Sequence, residues 1–314
     1  PVAIPGGSVA ERRARAIEDR DVQALRALLC SEPRGHADMY GGFIVPPDDA
    51  GAHFGVLFWH KDGFSTACGH GTIALGVWAV DTGRVPAPET GSVDVVVDVP
   101  SGRVTARVHR ESGQIVAVDF VNVPSWLVAR DVPVWTSRGE VSVTVTYGGA
   151  MYATLPAAMI GLCVVPEHLG DLTAIGREIK WALNDSDHAV HPSDPRLNGI
   201  YGTIWFDELG DVDGQVRQRN VTVFADGEVD RSPCGSGSCA RLAVLAADGR
   251  LPAGTQLRHE SIIGSVFTGT VLDTVEVDGR SAVIPQISGM AYRTGEHVFT
   301  VDPHDPLVPG FVLR

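Results

Sequence analysis

The chain has 314 residues, enough for one large domain or for two lobes with full cores. Its 44% hydrophobic and 20% charged residues are ordinary for a globular protein in water. The net charge of −13 argues against nucleic acid or an anionic membrane as a partner, because both bind clustered lysine and arginine. No apolar run approaches the roughly 20 residues that span a bilayer, and no signal peptide opens the sequence. The five cysteines are sparse and odd in number, unlike a secreted disulfide framework, so we expect a cytoplasmic protein.

The first part of the chain is predicted to form helices and then strands. Ser8 with Glu11 three residues later is typical of a helix start, and a second helix is expected over residues 22–29. A turn rich in helix breakers follows at residues 32–36. Five runs of apolar and β-branched residues then predict strands, at residues 42–45, 54–59, 93–99, 104–108 and 115–120.

The second part repeats this order of strands and helices. Strands are predicted at residues 141–147, 151–155, 202–206 and 221–224, and a helix over residues 171–183. The tail from residue 265 to 301 is strand-rich, with turns at Asp278-Gly279 and Thr294-Gly295. We place the lobe boundary near residues 124–133, so that a first lobe spans 1–128 and a second spans 129–314, with the final strand free to return to the first lobe.

A short cysteine and glycine frame occurs twice. Residues 68–72 read Cys-Gly-His-Gly-Thr and residues 234–238 read Cys-Gly-Ser-Gly-Ser, and each frame follows an apolar run and an Asp-Gly turn. Each frame also leads into an apolar stretch of helical character, at residues 73–80 and 242–247. The repetition predicts two homologous halves, each of which directs one thiol at a common cleft.

The two frames carry the groups needed for acid–base chemistry. A thiolate is the reactive form of cysteine and its pKa falls at a helix N-terminus, so Cys68 and Cys234 are the candidate catalytic residues. The free N–H groups of glycine-rich turns bind anions and suit a substrate carboxylate. Two facing thiols form a proton donor and a proton acceptor, which predicts movement of a hydrogen from one face of a carbon to the other. Asp230 is a candidate acceptor for a substrate nitrogen, whereas Arg231 is predicted to form a structural ion pair.

Other uses of these cysteines fit the sequence less well. A zinc site can be drawn from four residues, Cys68, His70, Cys234 and Cys239. Their spacing does not match the usual zinc pattern, and Cys234 with Cys239 lacks the Cys-x-x-Cys spacing of a redox pair. The remaining three cysteines are predicted to be inert core residues, Cys30, Cys163 and Cys239. No metal is therefore expected.

Lysine usage bears on the cofactor. Only Lys61 and Lys180 occur in the chain, and neither lies beside a glycine loop that would bind a phosphate. A pyridoxal-phosphate enzyme needs a lysine for its Schiff base and a phosphate site. The sequence therefore predicts chemistry without a cofactor.

Four segments of the chain resemble the proline racemase superfamily, which includes proline racemases, 4-hydroxyproline 2-epimerases and trans-3-hydroxy-L-proline dehydratases. These segments are residues 32–41 (Glu-Pro-Arg-Gly-His-Ala-Asp-Met-Tyr-Gly), 68–71 (Cys-Gly-His-Gly), 230–237 (Asp-Arg-Ser-Pro-Cys-Gly-Ser-Gly) and 261–265 (Ser-Ile-Ile-Gly-Ser). They span most of the chain and are highly specific together.

The resemblance implies a mixed α/β (α+β) fold of the diaminopimelate-epimerase-like type, with two pseudo-symmetric lobes, the active site between them, and a homodimer. It implies that Cys68 and Cys234 are catalytic and that His70 and Asp230 lie near the substrate nitrogen. It also implies that the substrate carboxylate lies against the backbone of five residues, Gly69, His70, Gly71, Gly235 and Ser236.

Two sets of residues bear on the branch of the superfamily. Dehydratases typically have threonine at the position of Cys234, because elimination of a 3-hydroxyl needs only one thiol, so Cys234 favours a racemase or epimerase. In contrast, Tyr40-Gly41, residues 64–66 and residues 201–204 are more similar to the dehydratase branch. His36 is more similar to proline racemases and dehydratases than to 4-hydroxyproline epimerases. We rank the paired thiols first because they bear directly on the reaction.

We therefore predict a cofactor-independent racemase or epimerase that inverts Cα of proline or a hydroxyproline by proton transfer between two cysteines. The alternative is a trans-3-hydroxy-L-proline dehydratase that gives pyrroline-2-carboxylate, and a third hypothesis is a non-catalytic imino-acid-binding protein. The family usually has a His-Thr-x-Gly-Glu-Pro segment before the first helix, so we expect the natural chain to continue upstream of Pro1.

Overall fold

The computed structural model describes residues 3–252 and 254–313; residues 1–2 and 314, at the ends of the predicted lobes, lie outside the described residues. The described residues form five α-helices: α1 (Val9–Glu18), α2 (Arg20–Cys30), α3 (Gly69–Asp81), α4 (Leu169–Asn184) and α5 (Gly235–Ala247). They form fifteen strands: β1 (Gly41–Val45), β2 (Phe54–His60), β3 (Gly63–Phe64), β4 (Gly91–Val99), β5 (Gly102–Glu111), β6 (Gln114–Val121), β7 (Trp126–Thr136), β8 (Gly139–Tyr147), β9 (Met151–Pro156), β10 (Ile200–Glu208), β11 (Gln215–Phe224), β12 (Glu228–Val229), β13 (Gln256–Ser261), β14 (Val266–Val277) and β15 (Arg280–Gly289). Four 3-10 turns join them, at Ala157–Ile160, Pro166–His168, Asp187–Ala189 and Pro195–Leu197.

Local sequence signals explain where the first helices begin and end. The Ser8 hydroxyl accepts a hydrogen bond from the Glu11 N–H at 3.1 Å, and the Glu11 carboxylate accepts one from the Gly7 N–H at 2.8 Å. These reciprocal bonds satisfy N–H groups that the first turn of a helix leaves without partners. Asp19 ends α1 and caps α2, since its side chain accepts from the N–H groups of Asp21 and Val22. The predicted helices at both positions are confirmed.

The same pairing pattern occurs twice along the chain. In the first half, β1 and β2 are antiparallel, β2 and β4 are parallel across α3, and β4, β5 and β6 follow as antiparallel neighbours. In the second half, β10 and β11 are antiparallel, β11 and β13 are parallel across α5, and β13, β14 and β15 follow as antiparallel neighbours. The short strands β3 and β12 pair with β2 and β11 in the same way. The predicted duplication therefore extends over six strands and one helix in each half.

The two halves share one hydrogen-bonded sheet. Its order is β1-β2-β4-β5-β6-β15-β14-β13-β11-β10-β9-β8-β7, and the halves join where β15 runs antiparallel to β6. Helix α3 packs on β5 and β6, and α5 packs on β14 and β15. The main hydrophobic core continues from one half into the other through these contacts. This arrangement brings the starts of α3 and α5 to the centre of the molecule.

Three segments differ from the sequence prediction. Strand β7 (Trp126–Thr136) was not predicted. Pro133 interrupts the segment, but the strand lies at the end of the sheet order, where an edge strand tolerates a proline. Strand β13 (Gln256–Ser261) was also missed. The tail was predicted to be strand-rich to residue 301, but β15 ends at Gly289 and residues 290–301 form no strand. No helix among the described residues is both long and apolar enough to cross a bilayer.

Candidate active site

The two candidate thiols occupy equivalent positions. Cys68 is the N-cap of α3 and Cys234 is the N-cap of α5, and each helix has 13 residues. Before each cysteine, a long strand turns back on a two-residue strand, β2 on β3 and β11 on β12. Both cysteines are free and buried. The predicted repeat of strand, turn, cysteine and helix start is confirmed.

The starts of α3 and α5 meet at two glycines. A Cβ atom added to Gly69 would lie 2.6 Å from the Gly235 Cα, and one added to Gly235 would lie 2.5 Å from the Gly69 Cα. Both contacts are with backbone atoms, which cannot rotate away as a side chain can. The first glycine of each frame therefore lets the two helix N-termini abut, so that the free N–H groups of both first turns face the same space. The sequence analysis gave these glycine-rich turns as anion sites and did not predict this contact between the two halves.

The second glycine of each frame makes room for sulfur. A Cβ added to Gly71 or to Gly237 would lie 2.9 Å from the sulfur of its own frame, Cys68 Sγ or Cys234 Sγ respectively. The Gly71 N–H donates a hydrogen bond to Cys68 Sγ at 3.2 Å. A donor directed at sulfur stabilises the thiolate more than the thiol. The frame therefore combines a contact between helices with room for a sulfur atom, and at Cys68 with a backbone donor directed at that sulfur.

The two cysteines differ in their surroundings. Cys234 has φ 60°, in the left-handed region that side-chain-bearing residues rarely adopt, whereas Cys68 has φ −155°. Burial, and next the Asp230 carboxylate, raise the pKa of Cys234 to about 12. Cys234 is therefore a thiol near neutral pH.

His70 and Asp230 form an ion pair across the two halves. The His70 Nδ1 atom lies 3.1 Å from the Asp230 Oδ2 atom, and the Ser232 N–H donates to Asp230 Oδ1 at 2.8 Å. Burial lowers the pKa of His70, but the Asp230 carboxylate and the Cys68 sulfur raise it well above its usual value. Burial raises the pKa of Asp230, but the positive His70 ring lowers it by more than this, so that the pKa lies below its usual value. The pair is therefore an imidazolium and a carboxylate at neutral pH, with the positive charge beside Cys68.

One cavity lies between these groups. It is lined by eleven residues: Tyr40, Ala67, Cys68, Gly69, His70, Tyr152, Tyr201, Phe224, Asp230, Cys234 and Ser236. Its volume of about 10 Å³ holds roughly one water molecule, so an imino acid enters only after side chains or the two halves move apart. A larger cavity of about 710 Å³ shares four of these residues and provides the approach, Tyr40, His70, Phe224 and Asp230.

The cavity brings together most of the predicted site. Six predicted residues line it: Cys68, Gly69, His70, Asp230, Cys234 and Ser236. Gly71 and Gly235 do not line the cavity. Gly71 lies against Cys68 Sγ, and Gly235 forms the contact with Gly69 described above. Sequence reasoning missed the aromatic wall, Tyr40, Tyr152, Tyr201 and Phe224. Tyr40 and Tyr201 had a signal in their tyrosine–glycine segments, while nothing in the sequence distinguished Tyr152 from a core residue.

The remaining predictions have mixed outcomes. Arg231 pairs with Asp38 at 2.7 Å, as predicted for a structural ion pair. Cys30 and Cys239 are fully buried, as predicted. The prediction that Cys163 is a core residue is wrong, because it is exposed in the loop that follows a 3-10 turn.

A second group of titratable side chains lies behind the cavity wall. Ligand atoms of His60, Asp62 and Glu228 lie within 4.8 Å of one another, a spacing that a metal ion can use. The Lys61 ammonium, however, lies 2.7 Å from Asp62 Oδ2 and 3.7 Å from Glu228 Oε1, and it supplies positive charge to both carboxyl groups. The His60 ring packs against the Tyr201 ring with centroids 6.0 Å apart. This group therefore supports the wall of the cavity through His60.

The stability of the protein is predicted to fall with pH through Glu228. Burial, and next the Asp62 carboxylate, raise the pKa of Glu228 from 4.5 to about 9. The folded state then binds a proton that the unfolded chain has lost, so this stabilisation is complete below about pH 4.5 and is lost as the pH rises through about 9. We expect the variant Glu228→Gln to flatten this fall, with a melting temperature above that of the wild type at pH 9 but not at pH 5. Thermal unfolding followed from pH 5 to pH 9 tests this, and equal pH dependence in both proteins would contradict it.

Comparison with known proteins shows the family to which the chain belongs. The sequence profile of the Proline racemase family matches residues 2–312. The trans-3-hydroxy-L-proline dehydratase of Bacillus thuringiensis subsp. konkukian is 42% identical over 311 residues, which cover 99% of this chain and 91% of the relative. The 3-hydroxyproline 2-epimerase of Burkholderia multivorans is 44% identical over 314 residues, which cover 99% of this chain and 92% of the relative.

A solved structure supports the same family assignment as these two relatives. A hydroxyproline epimerase from Agrobacterium vitis, determined with bound trans-4-hydroxy-L-proline, matches with a TM-score of 0.91 and 32% identity, over 99% of this chain and 89% of that chain. This similarity confirms the predicted mixed α/β fold of the diaminopimelate-epimerase-like type. The relatives that share the profile are epimerases and dehydratases, and the chain therefore belongs to the proline racemase family of enzymes.

Proposed function

We propose that the chain inverts Cα of proline or a hydroxyproline, with Cys68 and Cys234 as the two groups that transfer the proton. The observation that carries this proposal is the abutment of two helix starts, each with a cysteine at its N-cap, at one cavity. Inversion needs a base on one face of a carbon and an acid on the other. The 3-hydroxyproline 2-epimerase relative and the hydroxyproline-bound neighbour support this class of substrate.

The facing helix starts provide a site for the substrate carboxylate. The resemblance places it against the backbone of five residues in the two first turns, Gly69, His70, Gly71, Gly235 and Ser236, where the Gly71 N–H also donates to Cys68 Sγ. Each helix N-terminus also carries about half a positive elementary charge. When the Cα proton leaves, negative charge moves onto the carboxylate oxygens, and these donors stabilise the enediolate that forms. The substrate nitrogen binds at Asp230, whose carboxylate accepts from its N–H groups.

The two thiols then act in opposite states. We assign the role of base to Cys68, because it lies near the positive His70 ring and because burial raises the pKa of Cys234. Cys68 removes the proton from one face of Cα, and Cys234, a thiol, delivers its proton to the other face. The products are the inverted substrate, a Cys68 thiol and a Cys234 thiolate, and the reverse reaction uses this second state. No additional electron sink is required.

The second candidate function is that of a trans-3-hydroxy-L-proline dehydratase. The relative from Bacillus thuringiensis, 42% identical, supports it, as do the segments that contain Tyr40 and Tyr201. In this reaction one thiolate removes the Cα proton, and the thiol so formed gives that proton to the 3-hydroxyl group as the C3–O bond breaks and water leaves. The product is pyrroline-2-carboxylate. Cys234, as a second thiol, has no step in this reaction, and we therefore rank the dehydratase function second.

One experiment separates the two reactions. We expect L-proline, trans-3-hydroxy-L-proline or trans-4-hydroxy-L-proline, incubated with the enzyme in D2O, to give an inverted product that carries deuterium at Cα by NMR. The deuterium appears because the thiol that delivers the proton exchanges with solvent. Formation of a pyrroline from the 3-hydroxy substrate, detected with o-aminobenzaldehyde, without inversion of any substrate would establish the dehydratase instead. A protein that binds these compounds and changes none of them would be a binding protein.

We further propose that residues 1–128 and 129–314 act as the two lobes of a homodimeric, cytoplasmic enzyme. The resemblance to the superfamily supports the dimer. The chemistry supports a reducing compartment, because both thiols must stay unoxidised, and all five cysteines are free in the structure.

A further inference from the structure

Three of the five tyrosines in the chain line one small cavity, and the proposed reaction assigns no role to any of them. They are Tyr40, Tyr152 and Tyr201. The rings of Tyr152 and Tyr201 meet edge to face with centroids 5.8 Å apart. The wall therefore places several hydroxyl groups beside the thiols, where phenylalanine would fill the same space.

The positions already assigned leave one side of the cavity for the ring of the substrate. The carboxylate lies at the two helix starts, Cα lies between Cys68 and Cys234, and the nitrogen lies at Asp230. The carbons of the imino-acid ring that remain must face the rest of the lining, which is the aromatic wall. The inference that follows rests on this proposed placement of the substrate.

The hydroxyls of the wall differ in how they are already bonded. The Tyr152 hydroxyl lies 2.7 Å from the Ser236 Oγ atom, and the Tyr40 hydroxyl bonds to the Ser65 hydroxyl. The Tyr201 hydroxyl has one long contact, 3.4 Å to the Tyr40 hydroxyl. A phenol offers one donor and accepts hydrogen bonds as well. Tyr201 therefore has capacity to bond a ligand while Tyr40 and Ser65 hold its position.

The surroundings keep Tyr201 as a neutral hydroxyl. Burial raises the pKa of Tyr201 well above its usual value, although the hydrogen bond with Tyr40 lowers it. Its ring stacks on the Phe224 ring with centroids 5.6 Å apart and meets the His60 ring edge to face with centroids 6.0 Å apart. A fixed hydroxyl on an apolar wall distinguishes a ring that carries a hydroxyl from one that does not, because the unsubstituted ring leaves it without a partner.

We propose that Tyr201, held by Tyr40 and Ser65, binds the ring hydroxyl of hydroxyproline and so selects hydroxyproline over proline. Phe224 and Ala67 contact the methylene groups of the same ring. The proposal makes Tyr201 a specificity-determining residue for the reaction, whether the hydroxyl stays on the ring or leaves it.

The test compares three substrates on two proteins. For L-proline, trans-3-hydroxy-L-proline and trans-4-hydroxy-L-proline, kcat/KM is measured for the wild type and for Tyr201→Phe. We expect the wild type to prefer one of the hydroxyprolines, and we expect the variant to lower that preference roughly 10- to 100-fold. The value for L-proline should change by less than about threefold, because this substrate offers the hydroxyl no partner.

A matched control separates a local effect from a general one. Tyr147→Phe removes the hydroxyl of another buried tyrosine, which stacks on Trp126 and is not in the cavity lining, and it should leave the preference unchanged. Ser65→Ala removes the support of Tyr40, and it should lower the preference in the same direction by about three- to tenfold. This second variant keeps the test open if Tyr201→Phe does not fold.

The outcomes distinguish this inference from the proposed function. An equal loss for all three substrates in Tyr201→Phe, or an unchanged preference in both variants, overturns the role of Tyr201 and leaves the inversion of proline derivatives intact. A wild type that prefers L-proline does the same. A wild type that acts on none of the three substrates overturns the proposed function, and this inference with it.

Discussion

We expect replacement of either Cys68 or Cys234 by serine to lower the rate of inversion at Cα by roughly 10²- to 10⁴-fold. This is the usual contribution of one positioned acid or base. A serine hydroxyl is a much weaker acid than a thiol, so it neither forms the base nor readily releases the proton. Both replacements nearly preserve side-chain size, and at Cys68 the serine can keep the capping hydrogen bond from the Gly71 N–H. Polarimetry with each enantiomer or epimer as substrate measures the loss in both directions.

The control for these variants comes from the structure. Cys163→Ser changes an exposed cysteine and should leave the rate within about twofold of the wild type. If Cys68→Ser or Cys234→Ser keeps near wild-type inversion while folded, the two-base assignment is wrong. If either variant loses inversion but still forms a pyrroline from trans-3-hydroxy-L-proline, one thiol is sufficient for the elimination, and the result supports the dehydratase hypothesis.

The second large effect is expected at the contact of the two helix starts. Gly235→Ala would place a methyl group 2.5 Å from the Gly69 Cα, so the starts of α3 and α5 must separate. Alanine is otherwise favourable within a helix, by roughly 0.5–1 kcal/mol over glycine, so a loss of stability would identify the clash as the stronger effect. A shift of about 1 Å in the anion site and thiols should lower kcat/KM by roughly 100-fold.

Gly170→Ala is the matched control for this prediction. Gly170 lies in the first turn of α4, and a Cβ added there meets no atom within 4 Å. This variant should be as stable as the wild type or slightly more stable, with unchanged activity. Thermal unfolding and kcat/KM are measured for both variants. A Gly235→Ala enzyme with wild-type melting temperature and activity would show that the two helix starts do not need to touch.

Local patterns made much of the site predictable. The frames at residues 68–72 and 234–238 place the cysteine, the glycines and the helix within five positions, so the sequence alone indicated both thiols and the repeat. His70 and Asp230 were also found because they lie within four residues of a thiol. The capping of α1 by Ser8 followed from the same kind of short-range signal.

Features that depend on distant parts of the chain were not predictable. The aromatic wall takes Tyr40 from before β1, Tyr152 from β9 and Tyr201 from β10, and no spacing in the sequence joins them. The contact of Gly69 with Gly235 depends on how the two halves pack, so the sequence indicated an anion site in each turn but not the contact between the turns. Cys163 was expected to be buried from its residue type alone, and its loop exposes it.

The head-to-head arrangement of α3 and α5 has an electrostatic consequence for the ligand-free enzyme. Two helix N-termini, each with about half a positive elementary charge, repel one another when they are held in contact with no anion between them. The buried glycine contact and the shared β6–β15 pairing hold them together against this repulsion. A small planar anion that enters the space relieves the repulsion whatever ring it carries. Attraction for an anion is therefore built into the backbone of both halves. In the proposed reaction this anion is the substrate carboxylate, and discrimination among substrates is left to side chains on the opposite side of the cavity.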